Sequence, residues 1–176
     1  MVAIFNYTRG RDRQVAVKFG TTVPQANVTG VGIGFLTRFV PVRYNTDEIN
    51  LVDVAVAEPN NEKVTTSLIL GIGMVTGIGQ PVLGQEVLKS GRTTGLTRGE
   101  IVAYNVTTKF GDEEMGLWAW YGDLIATTSM CDSGDSGALL VSASDKKALG
   151  IEVGGNFYVD FYCNISHVLR MLRVKF

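Results

Sequence analysis

At positions 131–137 the chain reads Cys131-Asp132-Ser133-Gly134-Asp135-Ser136-Gly137, and the apolar run Ala138-Leu139-Leu140-Val141 follows at once. Glycine on both sides of the Asp135-Ser136 pair lets the backbone turn tightly and push the Ser136 hydroxyl outward. The amides of Gly134 and Ser136 can then aim at one point. A hydroxyl beside two convergent N–H donors is what acyl transfer through a tetrahedral oxyanion requires. Taken alone, the same residues also make an ordinary turn rich in Gly, Asp and Ser.

Such a loop needs a strand scaffold, and the rest of the chain supplies one. Short apolar or alternating runs bounded by Gly, Asn, Asp and Pro occur at Val15–Phe19, Val28–Val40, Leu51–Ala57, Gln85–Lys89, Glu100–Lys109, Leu117–Thr127, Ala138–Ser142, Leu149–Val153 and Phe157–Tyr162. That pattern predicts an all-β fold of barrels or a sandwich. Residues 91–99 carry the turn chemistry of a hairpin or bulged corner. The C-terminus alone reads as helix: Asn164 or Ser166 can cap it, and Ile165, Val168, Leu169 and Leu172 share one face. His167 falls roughly 150° from the centre of that face, at 100° per residue, which predicts a solvent-facing ring.

Composition bounds the possibilities. The chain has 176 residues, 45% hydrophobic and 19% charged, enough for one domain or two small barrel-like halves with a real core. Sixteen basic residues against 17 acidic leave a net charge of −1, so no global field favours nucleic acid or an anionic membrane. The basic run Arg9, Arg11, Arg13 is broken by Gly10 and Asp12 and reads as a solvated edge. The uncharged stretch from Val64 to Gln85 holds Gly71, Gly73, Gly77, Gly79, Gly84 and Pro81, which penalise a spanning helix and suit linker and strand. No leader-like run follows Met1, and neither two cysteines nor four Asn-x-Ser/Thr sequons fix a compartment. No phosphate loop, dinucleotide fingerprint or zinc spacing is present, so no cofactor or metal is expected. Trp118, Trp120 and Tyr121 read as a packed aromatic strand.

The nucleophile-like loop does not stand alone. Through Gly134-Asp135-Ser136-Gly137 the chain resembles the chymotrypsin-like (trypsin-like) serine peptidases. Through Lys89-Ser90-Gly91-Arg92-Thr93-Thr94-Gly95 it is similar to a bacterial branch of them, over roughly residues 30 to 176. The resemblance implies two antiparallel β-barrels: a reduced N-terminal barrel at 1–63, a Gly-rich inter-barrel segment at 64–85, a C-terminal barrel at 86–163 and a helix at 164–176. It implies peptide-bond hydrolysis with Ser136 as nucleophile, Gly134 and Ser136 as oxyanion donors, and a peptide substrate laid along Val153, Gly154 and Gly155 by strand addition. Asp53, which opens the strand Asp53-Val54-Ala55-Val56-Ala57 and is placed to be partly buried, fits the carboxylate that orients the base; Asp47 is its competitor, and a plain capping Asp is the alternative. A bridge between Cys131 and Cys163 is plausible by the same analogy. Met130, at the offset of the trypsins' acidic pocket residue, gives no support for cleavage after Lys or Arg.

The family's histidine should precede Asp53, yet residues 1–52 contain none, and the chain's single histidine is His167. Lys18 could replace it only on grounds of position. In a serine protease, loss of the histidine costs about 2 × 10⁶ in kcat, so the isolated chain is expected to be nearly inert. The expectations are a serine endopeptidase-like domain whose base comes from a missing N-terminal segment or a partner chain, and a homo-oligomer that covers strands such as Val31–Val40. The rival is a non-catalytic peptide-binding or structural module on the same fold.

Overall fold

A computed structural model describes residues 3–5, 34–59, 66–112 and 116–175. Strands expected at Val15–Phe19 and in the first part of Val28–Val40, together with Lys18 and the basic run at 9–13, lie outside the described residues. The elements in chain order are β1 (Ala3–Phe5), β2 (Gly34–Phe39), β3 (Ile49–Asn50), β4 (Ala55–Pro59), β5 (Leu68–Ile69), β6 (Gly73–Met74), β7 (Gly77–Ile78), β8 (Glu86–Gly91), β9 (Gly95–Asp112), β10 (Leu117–Thr128), β11 (Leu139–Ser142), β12 (Lys147–Gly155), β13 (Val159–Asn164) and α1 (Ile165–Leu172). The all-β expectation holds, with the helix at the predicted end.

Six of these strands close a ring. The order β11-β8-β9-β10-β13-β12 runs through antiparallel neighbours, and β11 also pairs with β12, so each strand has a partner on both sides. The interior follows from the strand period. Val87, Ile101, Ile125, Leu140, Leu149 and Tyr162, one residue from each strand, meet with Met130 in a single buried cluster. Full burial of such side chains contributes about 1.5–3 kcal/mol each. Closure also leaves few exposed edges, and β7 covers part of the flank of β12 in parallel.

A second core joins the outside of this barrel to the preceding segment and the helix. Val52, Val54 and Val56 pack with Ala119, Tyr121, Leu124, Ile151, Cys163, Ile165, Val168 and Leu172. Asn50 fixes the approach of that segment: its side chain receives the Arg43 N–H at 2.9 Å and donates to the Arg43 and Trp120 carbonyls. The N-terminal sheet has three strands in the order β1-β4-β2. In α1 the Asn164 side chain accepts the Ser166 N–H at 3.0 Å, while Ile165, Val168 and Leu172 are buried as their spacing predicts.

Candidate active site

The β8–β9 hairpin and the 131–137 loop are built as one unit around the Asp135 carboxylate. Lys89, near the middle of β8, has a fully buried side chain, and its Nζ reaches Asp135 Oδ2 at 2.8 Å. The hairpin turn adds the Thr93 N–H at 2.7 Å, the Thr94 N–H at 3.2 Å and the Thr94 hydroxyl at 2.6 Å, while Asp132 donates its own N–H at 3.1 Å. Burial alone pushes the carboxyl up, but hydrogen bonds from Lys89, Thr94, Thr93 and Asp132 outweigh it and hold Asp135 at about 2. The threonines also grip the loop at its ends: Thr93 Oγ1 donates to the Ser133 carbonyl at 2.7 Å and Thr97 Oγ1 to the Met130 carbonyl at 2.9 Å.

Two glycines permit this contact. A Cβ on Gly91 would lie 2.2 Å from Asp135 Oδ1, and one on Gly134 would lie 2.5 Å from Thr93 Oγ1. Gly134 also has φ +102°, a conformation that side chains oppose. With Asp135 N–H donated to the Asp132 carbonyl and Gly137 N–H to the Glu152 carbonyl, the loop is pinned on both sides of Ser136. Among the described residues, neither the Gly134 nor the Ser136 N–H is taken up by a backbone or side-chain acceptor.

Ser136 itself is exposed, and the strand behind its loop carries Glu152. Gly137 N–H donates to the Glu152 carbonyl at 3.0 Å and Glu152 N–H to the Ala138 carbonyl at 2.9 Å, so Gly137 and Ala138 lie opposite Glu152. Glu152 is 3% exposed. Burial pushes its carboxyl up to about 8, helped by Asp160 and Asp135 and opposed by the Ser136 hydrogen bond and by Lys89. Sequence reading did not single out this residue. Its only signal was a carboxylate inside the apolar run Leu149-Gly150-Ile151-Glu152-Val153.

A third buried carboxylate, Asp160, accepts the Met130 and Cys131 amides at 2.6 and 2.8 Å. It therefore stands behind Met130, the position read from sequence as apolar. Asp53 is also buried. It precedes β4 rather than opening it, because the strand begins at Ala55. Its N–H bonds the Cys163 sulfur, and its carboxylate helps push the neighbouring Tyr121 phenol up, after burial. Burial first, and the charges of Asp53 and Glu152, push the Cys163 thiol up to about 12. Val153, Gly154 and Gly155 form the outer end of β12. Beyond Glu152 that strand keeps β13 on one side and, among the described residues, has no strand opposite.

One expectation needs correction, and one open question is answered. His167 does not face solvent: its side chain is 19% exposed, with one ring nitrogen on Asp123 and the other 2.8 Å from Arg170. The cause is a bulge in β10 between Tyr121 and Leu124, where Asp123 takes φ +53° and sets its carboxylate under the helix. The cysteines form no bridge. Cys131 lies 3.0 Å from the Tyr162 hydroxyl, and Cys163 is buried in the second core. Among the described residues no group of three or more His, Cys, Asp or Glu could hold a metal ion, and no helix is long and apolar enough to cross a membrane.

The fold places the chain in a known architectural class. Thermobifida fusca Protease A superposes with a TM-score of 0.62 and 23% identity over 81% of this chain and 73% of that one. The Nocardiopsis protease gives 0.60 and 23% over 81% and 84%. This is the fold of bacterial chymotrypsin-like proteases. No family model matches the chain. Sequence narrows the likeness to the serine proteases of Streptomyces: "Serine protease 2" of Streptomyces fradiae is 37% identical over 82 residues, which are 47% of this chain and 43% of that protein. The chain thus spans less than half the length of that relative, and its homologues are serine proteases of this branch.

Proposed function

We propose that this chain carries the nucleophile-bearing half of a serine endopeptidase-type acyl-transfer site. One observation carries the reading: Asp135, held from Lys89, Thr93 and Thr94, fixes a loop whose Gly134 and Ser136 amides remain available beside an exposed serine. Ser136 Oγ attacks a peptide carbonyl, the two amides bind the resulting oxyanion, and collapse of the adduct expels the amine. The free edge of β12 at Val153, Gly154 and Gly155 suits a substrate peptide added as a strand.

In this reading the division into a reduced barrel at 1–63, a linking segment at 64–85 and a full barrel at 86–163 belongs to the proposal. So does Asp53 as the carboxylate that would orient a base. The family's imidazole is not supplied by His167, which is engaged with Asp123 and Arg170. Full peptidase activity then needs an N-terminal segment or a partner chain; a homo-oligomer covering the exposed Phe39 face of β2 is a separate part of the proposal, since a second copy brings no histidine but His167.

A fluorophosphonate probe with and without imidazole as an added base tests the proposal. Peptide mapping is expected to place the adduct on Ser136, and Ser136→Ala is expected to abolish it. An adduct elsewhere, or one that persists in Ser136→Ala, contradicts the reading. The second reading, a peptide-binding module, is favoured by the outer end of β12, which among the described residues has no strand opposite β13. It predicts peptide capture that Ser136→Ala leaves unchanged.

A further inference from the structure

We propose that the turn joining β12 to β13 selects the substrate: Phe157 and Tyr158 receive large apolar side chains that a peptide carries at the fourth and fifth residues before the bond to be cut. The inference rests on the reading of the outer β12 edge as the place where a peptide is added, and it names the class of peptide. Its ground is exposure. Phe157 is 96% and Tyr158 83% exposed, above every other large hydrophobic side chain among the described residues. Single exposed apolar residues are ordinary on a protein surface, but packing within the chain gives no reason for two adjacent aromatics left almost wholly in water.

The turn that carries them is held before anything binds. Asn156 N–H donates to the Val159 carbonyl at 2.8 Å, and the Asn156 side-chain oxygen accepts the Tyr158 and Val159 N–H groups at 2.9 and 3.1 Å. These bonds are made by the backbone and by Asn156, so the two rings are not what forms the turn. With the backbone ordered and only two side-chain angles to fix on each ring, a partner gains aromatic area at little entropic cost.

Position and chemistry select the occupant. The Ser136 loop meets β12 at Glu152, which pairs with Gly137 and Ala138. Beyond it, Val153 to Gly155 have β13 on one side and, among the described residues, no strand opposite. At about 3.3 Å per residue that edge is about 10 Å long and takes three residues of an extended peptide, so the fourth and fifth arrive at the turn. From Val153 to Val159 no side chain is charged. Asp160, the next residue, is buried with its carboxylate on the Met130 and Cys131 amides. The surface that meets this part of the peptide is aromatic and uncharged, which suits Phe or Leu and gives nothing to Asp or Ser.

The experiment is isothermal titration calorimetry of the full chain with six-residue peptidyl boronic acids. Their fourth and fifth residues, counted from the boron-bearing one as first, are both Phe, both Leu, both Ser or both Asp. The Phe and Leu peptides should bind about tenfold more tightly than the other two. In Phe157→Ser/Tyr158→Ser that advantage should vanish, while the Ser peptide binds as before and a small fluorophosphonate labels Ser136 at the parent rate. Equal affinity of the parent chain for all four peptides, or a preference for Asp, overturns the inference without any variant having to fold. So does an advantage that survives in the double variant. A parent chain that sediments as a dimer, beside a double variant that sediments as a monomer, gives the turn to a second copy and overturns it as well. Binding of none of the peptides also overturns it; Ser136 labelling that persists in that case leaves the nucleophile reading standing, and its absence defeats both.

Discussion

Ser136 stands between two buried carboxyls that the fold treats in opposite ways. On one side Asp135 is wrapped by Lys89, by two threonines through two amides and a hydroxyl, and by the Asp132 amide, and it is held far toward its charged form. On the other side Glu152, equally buried, meets acidic neighbours and a hydroxyl, and it is pushed toward its neutral form. The difference lies in partners, since both have left water. A paired, fully hydrogen-bonded charge serves as a rigid anchor, whereas a carboxyl poised near neutrality can exchange a proton. A charged anchor and a carboxyl drawn toward neutrality thus lie on the two segments that meet behind the Ser136 loop.

Removing the anchor's cation should have the largest effect. Lys89→Met leaves Asp135 buried without its cation and is expected to cost about 3–5 kcal/mol, read as a lower midpoint in urea. The double variant Lys89→Met/Asp135→Asn should recover part of that loss. A Lys89→Met chain as stable as its parent would show that the threonine and amide donors suffice.

The pH dependence of stability should differ in sign between the two sides. Glu152 moves from an ordinary 4.5 up to about 8 on folding, so its contribution is fully present below about pH 4.5 and is lost as pH rises toward 8. Asp135 moves from 3.8 down to about 2, so its contribution is present above 3.8 and is lost as pH falls toward 2. Thermal melts of Glu152→Gln should therefore remove the alkaline decline and leave the acid limb intact. An unchanged alkaline decline in that variant would assign it to another group.

The smallest effect is expected away from the comparison. His167→Ala breaks the contact of the helix with Asp123 at a part-exposed site, and a loss of about 1 kcal/mol or less is expected in the same melts. Ser136 labelling should be unaffected. A change in labelling would reveal a connection between the terminal helix and the loop.

How much of this was legible in sequence follows from how local each feature is. The Ser136 loop and the Lys89–Gly95 hairpin could be read because turn chemistry is written in adjacent residues. The helix was legible from its cap and spacing. The link from Lys89 to Asp135 spans 46 positions, and only the closed barrel brings the two together. Glu152 escaped notice because alternation sends a polar strand residue to a solvent face, whereas β12 is buried toward both the barrel interior and the second core. Asp53 was expected partly buried at the head of a strand, whereas it is buried outright and the strand starts two residues later. The ring of His167 was misjudged because no helical angle shows the β10 bulge beneath it.

The most direct test of the central claim is a crystal structure of the chain after reaction with a peptidyl boronic acid. The account predicts boron bonded to Ser136 Oγ, one boronate oxygen within hydrogen-bond distance of both the Gly134 and Ser136 amides, and the peptide beside Val153–Gly155. A boronate attached elsewhere, or those two amides pointing away from its oxygen, would contradict it.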